Sequence, residues 1–246
     1  MKRLLILGGT GDAANLATTT NRLGRIKTIY SLAGRTNKPK TPNCDIRIGG
    51  FGGRGGLNNY LRTNKIDLVI DATHPFANKI AAHAAKACKR LNIPWVKFCR
   101  PAWKSDKIPW ISSSNYLETA RQVNKMGNRI FLSIGTNGLD AFSFLTNKWF
   151  LIRTIDKPIR PIPLANHHII LSRGPFKDNQ ERELLINFNI DVLVCKNSGG
   201  TPAAKLKAAF ELGIPIVMIE KPLPPAGVEV CTIQETIDWL ERQISE

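Results

Sequence analysis

The chain predicts an α/β fold made of two units, each a parallel sheet with helices packed against it. Three observations carry that prediction. First, short continuous apolar runs alternate with helical stretches, as expected for strands buried on both faces and joined by right-handed crossovers. Second, one arrangement of strand, turn, helix and Pro-entered strand occurs twice. Ile66-Asp67-Leu68-Val69-Ile70 leads to Asn92-Ile93-Pro94-Trp95-Val96, and Ile190-Asp191-Val192-Leu193-Val194 leads to Gly213-Ile214-Pro215-Ile216-Val217. Each final strand soon meets a basic-Pro pair, Arg100-Pro101 or Lys221-Pro222. Third, the N-terminus runs from an apolar strand at Leu4 to Leu7, through Gly8, Gly9 and Gly11, into a helical stretch at Asp12 to Ala17.

Taken in order, the first half predicts strands near 3–7, 26–31, 45–48, 66–71 and 94–99. The second predicts strands near 130–134, 149–154, 168–172, 190–195 and 215–219. Ala102 to Ser114 is rich in Trp, Pro and Ser and reads as a connector. Glu118 to Lys125 reads as the helix that starts the second half. Thr232 to Gln243 reads as a closing amphipathic helix, with Ile233, Ile237, Trp239 and Leu240 on its apolar side. The expected domains are therefore 1–104 and 105–246, the closing helix belonging to the second.

Composition narrows the class. At 246 residues, 43% hydrophobic and 22% charged, the chain is long enough for a sizeable core and ordinary for a globular protein. No apolar run approaches the roughly 20 residues of a membrane span, and the N-terminus lacks a signal-peptide core. Cys44, Cys88, Cys99, Cys195 and Cys231 are scattered with no CxxC pair, which argues against a disulfide framework or a zinc site. The expectation is a reducing, cytoplasmic protein that binds neither metal nor membrane. The net charge of +16 fits either an anionic partner or plain solubility. With no basic tail and no block of like charges, a nucleic-acid partner is not expected.

In open parallel sheets, ligands sit beyond the carboxyl ends of the strands. The expected turns there are unusual in both halves. The first half offers Gly8-Gly9-Thr10-Gly11, Ser31 to Thr36, Gly49 to Gly53 and Asp71 to Phe76. The second offers Gly135-Thr136-Asn137-Gly138, Arg173 to Phe176 and Lys196 to Gly200. Gly9-Thr10-Gly11-Asp12-Ala13-Ala14 fits the dinucleotide pattern with alanine in the third place. Its glycines would let backbone approach a pyrophosphate at a helix start. An NAD-preferring site carries a carboxylate at the end of the second strand; here Ser31 stands there and Arg35 follows. A hydroxyl and a guanidinium suit a 2′-phosphate, so the expected cofactor is NADPH. The chain has no GxxxxGK[ST], no GxSxG and no Tyr with Lys four residues on, which removes P-loop, α/β-hydrolase and ordinary short-chain dehydrogenase chemistry.

The ordered set Leu7 to Ala13, Ser31 to Thr36, Gly49 to Gly53, Asp71 to Ala77, Arg173 to Phe176 and Lys196 to Gly200 resembles the precorrin-6A reductase family of cobalamin biosynthesis. The resemblance runs from residue 4 to about 222. It implies two Rossmann-like domains with a cleft between them. It also implies NADPH-dependent reduction of one double bond of precorrin-6A, or of its cobalt-bearing form, to precorrin-6B. That macrocycle carries acetate and propionate arms, so the resemblance gives the positive charge a polyanionic tetrapyrrole as its object. The oligomeric state is open, with a monomer plausible.

Roles follow by position. Gly9, Thr10, Gly11 and Asp12 are expected at the pyrophosphate, Asp12 serving either there or as a helix cap. Ser31 and Arg35 are expected at the adenosine phosphate, with Gly50, Phe51 and Gly52 bordering the cofactor. Thr73, His74, Pro75 and Phe76 are expected near the nicotinamide or the macrocycle. His74 reads either as a proton donor or as a hydrogen-bonded structural residue. Lys196 is a candidate either for protonation or for a substrate carboxylate. Arg173, Ser198, Gly199, Gly200 and Thr201 are the other candidates for anionic substrate groups. His167 and His168, adjacent on a strand, point to opposite faces and do not make a metal pair. Two other readings stay open: an NADP-dependent reductase of another anionic metabolite, and a nucleotide-sensing protein without chemistry.

Overall fold

Each half folds around a six-stranded sheet that is parallel at every pairing. The computed structural model describes residues 1–34, 41–201 and 203–245 and divides into two units. Unit 1 is Met1–Pro101 with Pro222–Glu246, and unit 2 is Ala102–Lys221.

Unit 1 contains β1 (Lys2–Leu7), α1 (Gly11–Arg22), β2 (Ile26–Leu32), β3 (Asp45–Ile48), α2 (Gly53–Thr63), β4 (Leu68–Asp71), α3 (Asn78–Leu91) and β5 (Trp95–Phe98). It ends with β12 (Val228–Val230) and α7 (Ile233–Ser245). The sheet order is β3-β2-β1-β4-β5-β12, so strand order reverses between β1 and β4, the point where doubly wound sheets take their ligand. Alternate residues of the central strands serve the two faces. Leu4, Ile6 and Tyr30 pack with α1 and α7, whereas Leu5, Leu7 and Ile29 pack with α2 and α3. This double burial explains why the strands are continuous apolar runs.

Unit 2 contains β6 (Ile111–Ser113), α4 (Tyr116–Val123), β7 (Arg129–Ser133), a 3-10 turn (Leu139–Phe142), β8 (Trp149–Thr154) and β9 (His167–Leu171). It continues with α5 (Asp178–Asn187), β10 (Val192–Lys196), α6 (Ala204–Glu211) and β11 (Ile216–Ile219). Its order, β9-β8-β7-β10-β11-β6, repeats that of unit 1. The sequence repeat has a structural counterpart. Asp67, just before β4, accepts the Arg3 N–H at the start of β1 at 2.7 Å. Asp191, just before β10, accepts the Asn128 and Arg129 N–H groups at the start of β7 at 2.8 and 2.9 Å.

Two features differ from the sequence expectation. Residues 102–114, expected as a connector, include β6, which pairs with β11. The closing helix, expected in the second domain, lies in unit 1: β12 pairs with β5, and Trp239 and Leu240 of α7 join the core that holds Leu4, Ile6 and Leu16. The physical reason is the open edge of each sheet. β5 and β11 each need one more parallel partner, and a short strand with its following helix supplies it in both units. Among the described residues no helix is long and apolar enough to cross a membrane.

Candidate functional site

The turn after β1 is shaped by Tyr30. A Cβ on Gly8 would fall 2.2 Å from Tyr30 Cε2, so the ring excludes every side chain there. Gly9 has φ of 114°, a conformation open to glycine, and its N–H donates to Tyr30 Oη at 3.2 Å. Burial raises the Tyr30 pKa, keeping the phenol neutral. Thr10 is the N-cap of α1: its hydroxyl accepts the Ala13 N–H at 3.1 Å and donates to the Ala72 carbonyl at 3.0 Å. That hydroxyl ties the turn to the end of β4 and spends its one O–H on the Ala72 carbonyl. Asp12 lies in the first turn of α1 and forms an ion pair with Arg100. The helix-cap alternative for Asp12 is thereby corrected, because Thr10 holds that position; Arg100 is what neutralises the carboxylate.

Ser31, near the end of β2, is 5% exposed and accepts a hydrogen bond from Arg47 at 3.4 Å. Arg35 lies outside the described residues. The Gly50, Phe51 and Gly52 turn follows β3 and is fastened by Arg47, which donates to the Gly49 and Gly50 carbonyls and stacks on Phe51. Arg47 carries no local signal of this role, because it lies inside β3, two residues before the more conspicuous glycines.

The turn after β4 rests on a buried ion pair. Lys97 Nζ lies 2.8 Å from Asp71 Oδ2, with the two side chains 4% and 0% exposed. Asp71 Oδ1 accepts the Thr73 N–H at 3.0 Å and the Thr73 hydroxyl at 2.6 Å, while Lys97 also donates to Thr73 Oγ1 at 3.3 Å. Thr73 is thus held as a brace for the turn. His74 is exposed; its Nδ1 accepts the Phe76 N–H at 3.2 Å, and its carbonyl accepts the Ala77 N–H at 2.8 Å. These bonds build the turn around Pro75 and favour the structural reading of His74. Phe76 is partly buried, its ring centroid 5.8 Å from that of His74.

In unit 2 the carboxyl ends of the strands gather basic groups. Lys196, at the end of β10, donates to the Ile134 carbonyl at 2.6 Å and lies 5.4 Å from the Tyr116 ring centroid. Burial, aided by the nearby charge of Lys205, lowers its pKa to about 8. Lys205, on α6, donates to Ser133 Oγ at 2.9 Å, and burial lowers its pKa as well. Arg153 of β8 pairs with Glu181 of α5 at 2.8 Å and stacks on Phe176, 4.1 Å from its centroid. Arg173 is exposed on the turn after β9. Lys205 and Arg153 were not singled out in the sequence, where each resembles an ordinary element residue.

The Ser198, Gly199, Gly200 and Thr201 loop precedes α6. Trp103 Nε1 donates to the Gly200 carbonyl at 2.9 Å, and buried Asn197 bonds the Trp103 backbone at 2.9 and 3.2 Å. Gly199 and Gly200 both have positive φ, and Ser198 folds back to the Lys196 carbonyl. His167 and His168 part as expected: one bonds the Leu164 carbonyl and the other packs on Phe188.

A dinucleotide fits the unit 1 turn by one direct observation. A Cβ built on Gly9 or Gly11 meets nothing within 4 Å beyond its chain neighbours, so a ligand can approach the backbone closely at this helix start, although the Gly9 N–H itself is taken by Tyr30 Oη.

The family model described as precorrin-6x reductase CbiJ/CobK matches residues 3–241. The precorrin-6A reductase of Rhodococcus erythropolis is 44% identical over 243 residues, 98% of each chain. That of Rhodobacter capsulatus is 38% identical over 242 residues, covering 98% of this chain and 96% of its own. The cobalt-precorrin-6A reductase of Methanococcus maripaludis is 28% identical over 248 residues, covering 96% and 98%. A solved structure of CobK precorrin-6A reductase superposes with a TM-score of 0.88 at 37% identity, covering 99% of this chain and 97% of that one.

Proposed function

The chain belongs to the precorrin-6x reductase family, and we propose that it reduces one double bond of precorrin-6A with NADPH, giving precorrin-6B. When bound, the dihydronicotinamide supplies a hydride to one carbon, and a proton added to the neighbouring carbon balances the reduction. The observation that carries the reading is the β1 turn. It combines a positive-φ glycine at Gly9, room for close approach at Gly9 and Gly11 and a helix start, all where the strand order reverses.

In this reading Gly9, Gly11 and the Thr10 backbone bind the pyrophosphate, while Tyr30 and the Thr10 hydroxyl hold their conformation. Arg100 holds the Asp12 carboxylate, reducing its repulsion of phosphate. Ser31 receives the adenosine 2′-phosphate, and Gly50, Phe51 and Gly52 border the adenosine. Thr73, braced by Asp71 and Lys97, sets the Pro75 and Phe76 turn against the nicotinamide.

Lys196, Lys205 and Arg173 bind the acetate and propionate carboxylates of the macrocycle by charge-assisted bonds. The loop of Ser198, Gly199, Gly200 and Thr201 supports that binding. Lys196 also serves as the proton donor, since a value near 8 keeps it charged at neutral pH and able to give up a proton. His74 is the weaker donor, because its Nδ1 accepts a bond that builds the turn. The metal-free macrocycle is favoured over the cobalt form. The relatives named for the former reach 44% and 38% identity, whereas the one from Methanococcus maripaludis named for the latter stands at 28%.

The test is titration of the purified protein with NADPH and NADH, followed by addition of precorrin-6A under anaerobic conditions. Tighter binding of NADPH and a change in macrocycle absorbance are expected. Equal affinity for the two nucleotides, or an unchanged macrocycle spectrum, contradicts the proposal.

A further inference from the structure

Arg47 is placed by backbone register. It sits on β3 directly opposite Ser31 of β2. Its Nη1 donates to Ser31 Oγ at 3.4 Å and to the Gly49 carbonyl, and its Nη2 donates to the Gly50 carbonyl at 2.9 Å. The guanidinium carbon lies 3.8 Å from the Phe51 ring centroid and 5.0 Å from that of Tyr60, and the two rings meet edge to face at 5.2 Å. A guanidinium has five N–H donors, so these three bonds leave two of them without a described acceptor. Among the described residues no carboxylate pairs with Arg47.

The end of the second strand is where an NAD-selective sheet carries a carboxylate for the ribose hydroxyls, and where an arginine nearby accommodates a 2′-phosphate instead. Ser31 removes the acid. Arg47 adds a planar cation in the adjacent register position. The two rings and two carbonyls already fix its orientation, so little side-chain freedom remains to be lost on binding an anion. We propose that Arg47 and Ser31 together form a 2′-phosphate subsite, making Arg47 a specificity-determining residue for NADPH over NADH. The inference rests on the NADPH reading above.

The probes are 2′,5′-ADP and 5′-AMP as competitors, together with KM for NADPH and NADH. They are applied to the full chain, to Arg47→Gln and to Arg47→Lys. The wild type binds 2′,5′-ADP better than 5′-AMP; equal binding overturns the NADPH reading and this inference with it. Arg47→Gln weakens 2′,5′-ADP and raises the NADPH KM roughly 10- to 100-fold, the effect of losing a charged hydrogen-bond partner. Because Arg47 also holds the Gly49 and Gly50 carbonyls, 5′-AMP affinity and the NADH KM worsen too, but by a smaller factor, so the preference for 2′,5′-ADP over 5′-AMP falls. Arg47→Lys restores part of the difference, as a point charge without the planar fork. A wild type that prefers NADPH alongside an Arg47→Gln variant that keeps the same preference overturns the inference alone. So does an equal loss for both nucleotides, which would make Arg47 a fastener of its own loop. Ser31→Asp, with Arg47 intact, provides an independent arm: its preference shifts towards NADH, and an unchanged preference counts against the subsite.

Discussion

Replacing Lys97 by Met removes one half of a charge pair that has almost no access to water. The ammonium lies 2.8 Å from Asp71 Oδ2, and the side chains are 4% and 0% exposed. Breaking a buried pair by deleting one partner costs about 3–5 kcal/mol, because the other charge stays behind uncompensated. Here Asp71 keeps two donors from Thr73, at 3.0 and 2.6 Å, so the expected loss is at the lower end, about 3 kcal/mol. With a urea slope of about 1–3 kcal/mol per molar, the unfolding midpoint of unit 1 falls by roughly 1–3 M. Tryptophan fluorescence follows both units, since Trp95 and Trp239 lie in unit 1 and Trp103, Trp110 and Trp149 in unit 2. Hydrogen exchange at the β4 amides assigns the weakened transition to unit 1. In Asp71→Asn/Lys97→Met both charges are gone and the Asn carbonyl still accepts from Thr73, so most of the lost stability returns. A Lys97→Met protein within about 0.5 kcal/mol of wild type, the range of an unremarkable surface change, refutes the reasoning. A double variant no more stable than the single one refutes it too.

Three further outcomes follow from the site geometry. Gly8→Ala puts a Cβ 2.2 Å from the Tyr30 ring, so the turn must move; about 1–3 kcal/mol of stability is lost and NADPH affinity falls with it, measured by calorimetry on the folded variant. Unchanged affinity would separate the turn from cofactor binding. Lys196 loses its charge as pH rises through about 8, so kcat/KM for the macrocycle declines above that pH, and Lys196→Gln lacks this limb of the profile. Because the folded value lies below that of an exposed lysine, the folded state binds fewer protons between about pH 8 and roughly 10.4. Stability therefore rises with pH across that window, and Lys196→Met flattens the rise.

The parallel sheets were legible because their strands are buried on both faces, which writes Leu4 to Leu7, Leu68 to Ile70 and Val192 to Cys195 as plain apolar runs. The repeat was legible for the same reason, reinforced by an aspartate that performs the same backbone-binding task in each half. The edge strands were not. β6 and β12 have three residues each, with two of the three exposed, so neither leaves a hydrophobic signature. The return of α7 to unit 1 depends on the pairing of Val230 with Phe98, a contact far apart in sequence with no local marker.

The candidate site divides in the same way. Glycine turns, Ser31 and Lys196 stand out locally. Arg47 and the Asp71–Lys97 pair do not, because they acquire their roles only when the register sets Arg47 against Ser31 and Lys97 against Asp71. Asp12 stands out as an acid beside the glycines, but its partner Arg100 lies 88 residues away in sequence and carries no local marker.

The central claim is most directly tested by following where the two added hydrogens come from. The protein is incubated anaerobically with precorrin-6A and NADPH deuterated at the transferring carbon of the nicotinamide, and the macrocycle is analysed by mass spectrometry. The account predicts one deuterium from the nucleotide and one hydrogen from solvent in each product molecule, with the solvent label confirmed by the converse experiment in deuterated water. A macrocycle that gains no label from NADPH, or that stays unreduced, contradicts it.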